Sequence, residues 1–124
     1  MNLVDSSGWL EYFADRRNAD FFASPIENVD ELIVPSISIL EVFKRVLQQR
    51  GEREALDAAA LMRLGRVVDL GTTLALSAAR IGLEPRLLLA DSVILASARA
   101  HDALLWTQDR DFKGLKGVKY VEKR

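Results

Sequence analysis

The sequence contains no cysteine. That removes a disulfide framework, a thiolate nucleophile and any cysteine-ligated zinc, and it fits a reducing compartment. Histidine is nearly as scarce. His101 stands alone, which rules out His-rich zinc sites and argues against a Ser-His-Asp triad; we expect it near a helix C-terminus, with no catalytic role. No apolar run approaches the ~20 residues that span a bilayer. The opening Met1-Asn2-Leu3-Val4-Asp5 has neither a basic region nor an apolar stretch of signal-peptide length, so a soluble, cytoplasmic protein with no membrane partner is expected. An excess of charge is missing too. Seventeen Lys and Arg against eighteen Asp and Glu leave a formal net charge of −1, so any hold on nucleic acid must be local.

What remains is an ordinary globular balance, 49% hydrophobic and 28% charged over 124 residues, enough for one domain spanning 1–124 and too little for two. Met1 to Val4 reads as a buried strand, and Asp5-Ser6-Ser7 as the start of a helix carrying Trp9, Leu10, Tyr12 and Phe13. The stretch from Asp15 to Asp30 predicts a short helix broken by Pro25. Leu32 to Pro35 predicts a second strand, with Ser36 capping a helix that runs to about Arg50 and stops at Gly51. Further helices are predicted over Glu52 to Leu64, Thr72 to Ile81 and Leu88 to His101. Short strands are predicted at Val67-Val68, Leu104 to Trp106 and, at an edge, Val118 to Val121. Strands and helices alternate almost without exception, which predicts an α/β fold: a parallel sheet of about five strands with helices on both faces. Residues 113–124 hold five Lys or Arg against one acid, and we read them as a frayed, solvated end.

In such a fold ligands bind beyond the carboxyl ends of the strands. Asp5 follows the first strand, Glu41 lies in the second turn of the helix after the second, Asp91 opens the buried helix before the fourth, and Asp109 follows the fourth. Four acids distant in sequence are therefore predicted at one edge. Each also suits a structural role. Asp5 or Asp91 can cap a helix. Glu41 can close a capping box with Ser38 or pair with Arg45 for about 0.3–0.5 kcal/mol. Asp109 and Asp111 can be turn residues. Against these, Ile37, Leu40, Val42 and Phe43 crowd Glu41, and Asp91 shares an apolar stripe with Leu87 or Leu88, Leu95 and Ala98. Two carboxylates about 5 Å apart repel by about 3 kcal/mol at an effective dielectric near 20. A hard cation such as Mg²⁺ or Mn²⁺ is the simplest offset, and its water-activating chemistry suits phosphodiester hydrolysis, with one metal or two.

Asp5-Ser6-Ser7, Pro35-Ser36-Ile37-Ser38-Ile39-Leu40-Glu41-Val42, Ala90-Asp91-Ser92-Val93-Ile94-Leu95-Ala96 and Thr107-Gln108-Asp109-Arg110-Asp111-Phe112 resemble, in order and spacing, the PIN-domain ribonucleases. Among them the chain is most similar to the VapC toxins of bacterial and archaeal toxin–antitoxin pairs. The resemblance runs from Leu3 to about Val121. It implies a PIN-like, Rossmann-like sandwich and a Mg²⁺- or Mn²⁺-dependent endoribonuclease. Asp5, Glu41, Asp91 and Asp109 map onto its catalytic acids, the first, third and fourth of them as metal ligands. Thr107, Ser6 and Asp111 map onto supporting positions. It further implies an RNA substrate, a cognate antitoxin that covers the site, and a homodimer.

Other features are compatible with this reading. Five of the nine aromatics, Trp9, Tyr12, Phe13, Phe21 and Phe22, form a helical stripe that suits the core or, in part, a groove for a partner helix. Arg110 and Lys113 flank the acids as candidate RNA phosphate contacts, with Lys44, Arg45, Arg50 and Arg53 on a solvated face nearby. Three alternatives stand beside the toxin: a PIN nuclease of RNA processing, a PIN domain kept only for binding, and a receiver-like signalling module with an acidic Mg²⁺ pocket.

Overall fold

The computed structural model describes all 124 residues. Eleven regular elements follow one another: β1 (Asn2–Val4), α1 (Ser6–Phe13), α2 (Ala19–Glu27), β2 (Leu32–Pro35), α3 (Ser36–Arg50), α4 (Glu52–Met62), β3 (Arg66–Val68), α5 (Thr72–Ile81), α6 (Leu89–Ala100), β4 (Leu104–Thr107) and β5 (Val118–Tyr120). Single 3₁₀ turns cover Val29–Glu31 and Arg110–Phe112. The five strands form one sheet in the order β3-β2-β1-β4-β5, every neighbouring pair parallel.

The three central strands, β2, β1 and β4, are short and mostly apolar because both faces of the sheet are covered there; the edge strands β3 and β5 contain no buried residue. Leu3, Ile33 and Leu105 point to one side, where they meet Ile94, Leu95 and Ala98 of α6. Val4, Val34 and Trp106 point to the other and pack with Trp9, Phe22, Val42 and Met62 from α1 to α4. No helix is long and apolar enough to cross a membrane.

Three local expectations change. Pro25 lies inside α2 rather than breaking it. It falls in the last turn, where its missing N–H forfeits one hydrogen bond, and its ring is buried beside Ile26. Ser36 is the first residue of α3 and not its cap; Pro35 takes that place in extended backbone, with no side-chain bond to the helix. The basic end is not frayed as far as Glu122. Val118–Tyr120 pairs with β4, Val121 N donates to Thr107 O at 3.0 Å, and Glu122 O accepts from Asn18 Nδ2 at 3.0 Å.

Strand order counts outward in both directions from the β1/β4 junction. The chain therefore leaves β1 and β4 toward opposite flanks, opening the crevice in which such sheets place their ligands. Asp5 and the segment 107–109 lie at its lip.

Candidate active site

Asp5 stands where β1 ends, held by the β4 carbonyl of Trp106, which accepts from Asp5 N at 3.2 Å. Its buried carboxylate caps α1. Oδ1 accepts from Gly8 N at 3.0 Å and Ser7 Oγ at 2.8 Å, and Oδ2 accepts from Thr107 Oγ1 at 2.7 Å. The cap role and the place at the sheet edge thus coincide in one residue. Burial raises Asp5 from 3.8 to about 6. The bonds from Thr107, Ser7 and Gly8 pull against that rise, and the charge of Asp109 adds to it.

Glu41 projects from the second turn of α3, half-buried, and its Oε1 accepts from Ser6 Oγ at 2.7 Å. Neither local role is taken up. Ser38 Oγ is buried without a partner, and the chain's two ion pairs, Met1–Glu31 and Arg50–Glu54, do not involve Arg45. Leu40 does not crowd it, being 58% exposed.

Asp91 is the third residue of α6, not its cap; Leu88 holds that position with no side-chain bond. Leu95 and Ala98 below it are buried, whereas Leu88, its expected neighbour on the stripe, is 70% exposed. Asp91 Oδ2 is buried and has no hydrogen-bond partner. Burial raises the carboxyl from 3.8 to about 7, reinforced in turn by the charges of Asp109, Asp5, Glu41 and Asp111. Four acids from three other segments of chain are felt at one carboxyl.

Asp109 follows β4. Its N donates to Thr107 Oγ1 at 2.9 Å, and its Oδ1 accepts from Asp111 N at 3.0 Å, starting the 3₁₀ turn. It is thus also a turn residue. Asp91, Asp109 and Asp111 each bring one carboxylate oxygen within 4.8 Å of the others. Asp111, expected in support, belongs to this set; Asp5 lies outside it, its oxygens occupied by Ser7, Gly8 and Thr107. Arg110 and Lys113 are exposed on the same turn. Neither pairs with an acid, and Lys113 Nζ lies 5.4 Å from the centroid of the Tyr120 ring. His101 caps the end of α6, its Nδ1 at 3.0 Å from Ser97 O, as expected.

The residues present fit a divalent cation. Three carboxylates converge, one of their oxygens is buried and unpaired, and no lysine or arginine forms an ion pair with them. All-oxygen donors suit Mg²⁺ or Mn²⁺.

Sequence reasoning missed a second polar cluster beneath the first. Glu11, Asn18 and Gln108 are buried. Gln108 Nε2 donates to Glu11 Oε1 at 3.1 Å, Asn18 Nδ2 to Gln108 Oε1 at 2.9 Å, and Asn18 N to Glu11 Oε2 at 3.0 Å. Glu11 and Gln108 are 97 positions apart, and no local spacing announces the contact.

The family model of the PIN domain matches residues 3–118. No curated protein matches the chain in sequence. Among solved structures, a toxin–antitoxin complex from Klebsiella pneumoniae superposes with a TM-score of 0.81 at 23% identity, covering 96% of both chains. VapC20 of Mycobacterium tuberculosis, a Sarcin-Ricin loop cleaving toxin, gives 0.76 at 19% identity over 96% of this chain and 99% of that one. DNA-bound VapBC from Salmonella typhimurium gives 0.74 at 15% over 98% of each. The strand order 3-2-1-4-5 also differs from the 2-1-3-4-5 of receiver-like folds, which removes the signalling alternative. A sheet of this order, acids from four segments drawn to its central crevice, and a family model that spans nearly the whole chain agree: the protein belongs to the PIN-domain family.

Proposed function

We propose that this protein is a Mg²⁺- or Mn²⁺-dependent endoribonuclease, acting in the cytoplasm as the toxin of a type II toxin–antitoxin pair. The observation that supports it most strongly is the convergence on Asp91, which has a buried, unpaired oxygen and lies in the field of four other acids with no paired cation. Asp91, Asp109 and Asp111 would hold the ion. When bound, the ion supplies a Lewis acid for the phosphoryl oxygens and acidifies a water. Asp5 ties the end of β1 to Thr107 and so steadies the Asp109 turn. Ser6 occupies Oε1 of Glu41, which leaves Oε2 to take a proton from an approaching water. Arg110, exposed beside the acids, and Lys113, exposed on the same turn, would meet RNA phosphates.

The toxin assignment draws on the likeness to solved structures of a toxin–antitoxin complex and of a toxin. A groove of about 630 Å³ between α1, α3 and α4, lined in part by Leu10, Phe13, Val46 and Leu61, is where we place the antitoxin. The exposed Leu83, Leu88 and Leu89 around the α5–α6 connection suit a homodimer.

Asp91→Asn keeps the shape and removes the charge. Cleavage of RNA in Mn²⁺ is expected to fall by at least about 100-fold while the protein stays folded. Sequencing of transcript ends after induction of parent and variant gives the cellular counterpart: parent protein arrests growth and leaves new ends, Asp91→Asn does neither. Parent-like cutting by purified Asp91→Asn would sink the nuclease reading, and cleavage without growth arrest would move the protein to RNA processing.

A further inference from the structure

The segment that carries Asp109 is gripped from two sides. On the side of the acids, Thr107 Oγ1 donates to Asp5 and accepts from Asp109 N. On the other, the Gln108 amide is turned inward between α1 and α2, donating to Glu11 and accepting from Asn18. Asn18 closes the circuit through its backbone N–H to Glu11 and reaches Glu122 O as well.

Stability alone does not account for this arrangement. Glu11 is a buried carboxylate without an ion-pair partner, and apolar side chains of similar volume often fill such a place at no loss. What the circuit does supply is orientation. Asp109 continues the extended backbone of β4, where successive side chains leave on opposite sides. Fixing Gln108 on the inner side therefore sets the direction in which Asp109 leaves on the outer. Asp109 in turn receives Asp111 N, so both carboxylates inherit that setting.

We propose that Gln108, clamped by Glu11 and Asn18, is the positioning residue that sets Asp109 and Asp111 for a divalent cation. This rests on the metal-centre reading above. The test is Mn²⁺ binding, read from the loss of the free-ion electron paramagnetic resonance signal well below the melting temperature, beside the melting temperature itself. Gln108→Met keeps length and loses the bonds; Mn²⁺ affinity is expected to drop roughly tenfold. Met62→Ala opens a core cluster that contains none of these residues; it is expected to lower the melting temperature at least as far and to leave Mn²⁺ affinity unchanged. Gln108→Glu alone sets two carboxylates face to face and should weaken binding. Pairing it with Glu11→Gln reverses donor and acceptor, keeps each short bond of the circuit, and should restore most of the affinity. Parent-like Mn²⁺ binding by Gln108→Met, or a paired exchange no better than Gln108→Glu, overturns the proposal. Should Gln108→Met fail to fold, the comparison of single with paired exchange decides it. Absence of Mn²⁺ binding by the parent would overturn the metal centre itself, an outcome independent of Gln108.

Discussion

Burial raises both Asp5 and Asp91, to about 6 and about 7, yet the two carboxyls stand in different surroundings. Asp5 is satisfied by Ser7, Gly8 and Thr107, whereas Asp91 has a bare oxygen and four acids in its field. Thr107 links Asp5 to the Asp109 turn, because it holds Asp5 Oδ2 and Asp109 N through one hydroxyl. Thr107→Val keeps the shape and deletes both bonds, leaving a buried carboxylate oxygen and an amide short of partners. A loss of about 2 kcal/mol follows, seen as a melting temperature lower by several degrees. The bond from Thr107 opposes the burial shift most strongly, so the Asp5 carboxyl should also titrate higher, followed by its carboxyl ¹³C signal. A parent-like titration would remove Thr107 from the site. The positions of the acids were legible in the sequence, since strand ends and an apolar stripe place Asp5, Asp91 and Asp109. Their partners were not. Ser6 and Glu41 meet across 35 positions, and Asn18 and Gln108 across 90; nothing local encodes which polar group will close such a gap.

At the scale of elements, β2, α3 and α5 fall where punctuation and periodicity place them, because Gly51 and Gly82 bound helices whose apolar spacing is regular. Pro25 misled because a proline in a last turn costs far less than one at mid-helix. Gly8 shows what spacing alone cannot reveal. It sits inside α1, where alanine would be favoured by roughly 1 kcal/mol on helix propensity. An added Cβ, however, would lie 2.6 Å from the Phe22 ring and 2.6 Å from Val4 Cγ1. Both neighbours are fully buried, so neither can swing into solvent, and overpacking of this kind costs about 1–3 kcal/mol or more. The clash wins. Gly8→Ala should lower stability in denaturant titration and push α1 off β1 and α2, loosening the Gly8 N bond that caps with Asp5. A variant as stable as the parent would show that the helix shifts freely there.

For the whole molecule, the outcome of parallel strands and helices on both faces is a charge problem at one edge, and that problem has a pH signature. A carboxyl whose folded pKa lies above its unfolded value binds its proton more tightly in the folded state. Its contribution is intact below about pH 4 and is lost as pH rises through the folded value. For Asp5 the rise from 3.8 to about 6 corresponds to about 3 kcal/mol; Asp91 acts in the same direction up to about 7. Without divalent ions, the protein should therefore be more resistant to heat at pH 5 than at pH 8, against the trend of salt-bridged acids. A cation binds only the deprotonated carboxylates of the folded state, so Mn²⁺ should raise the melting temperature strongly at pH 8 and barely at pH 5. Asp91→Asn deletes the highest-titrating carboxyl and one ligand together. It should flatten the metal-free profile between pH 5 and 8 and abolish the Mn²⁺ response. Differential scanning calorimetry at the two pH values, with and without Mn²⁺, reads all four quantities. A metal-free protein that gains stability from pH 5 to 8 would mean that these acids are already compensated within the chain, and the reason for a cation at this edge would be gone.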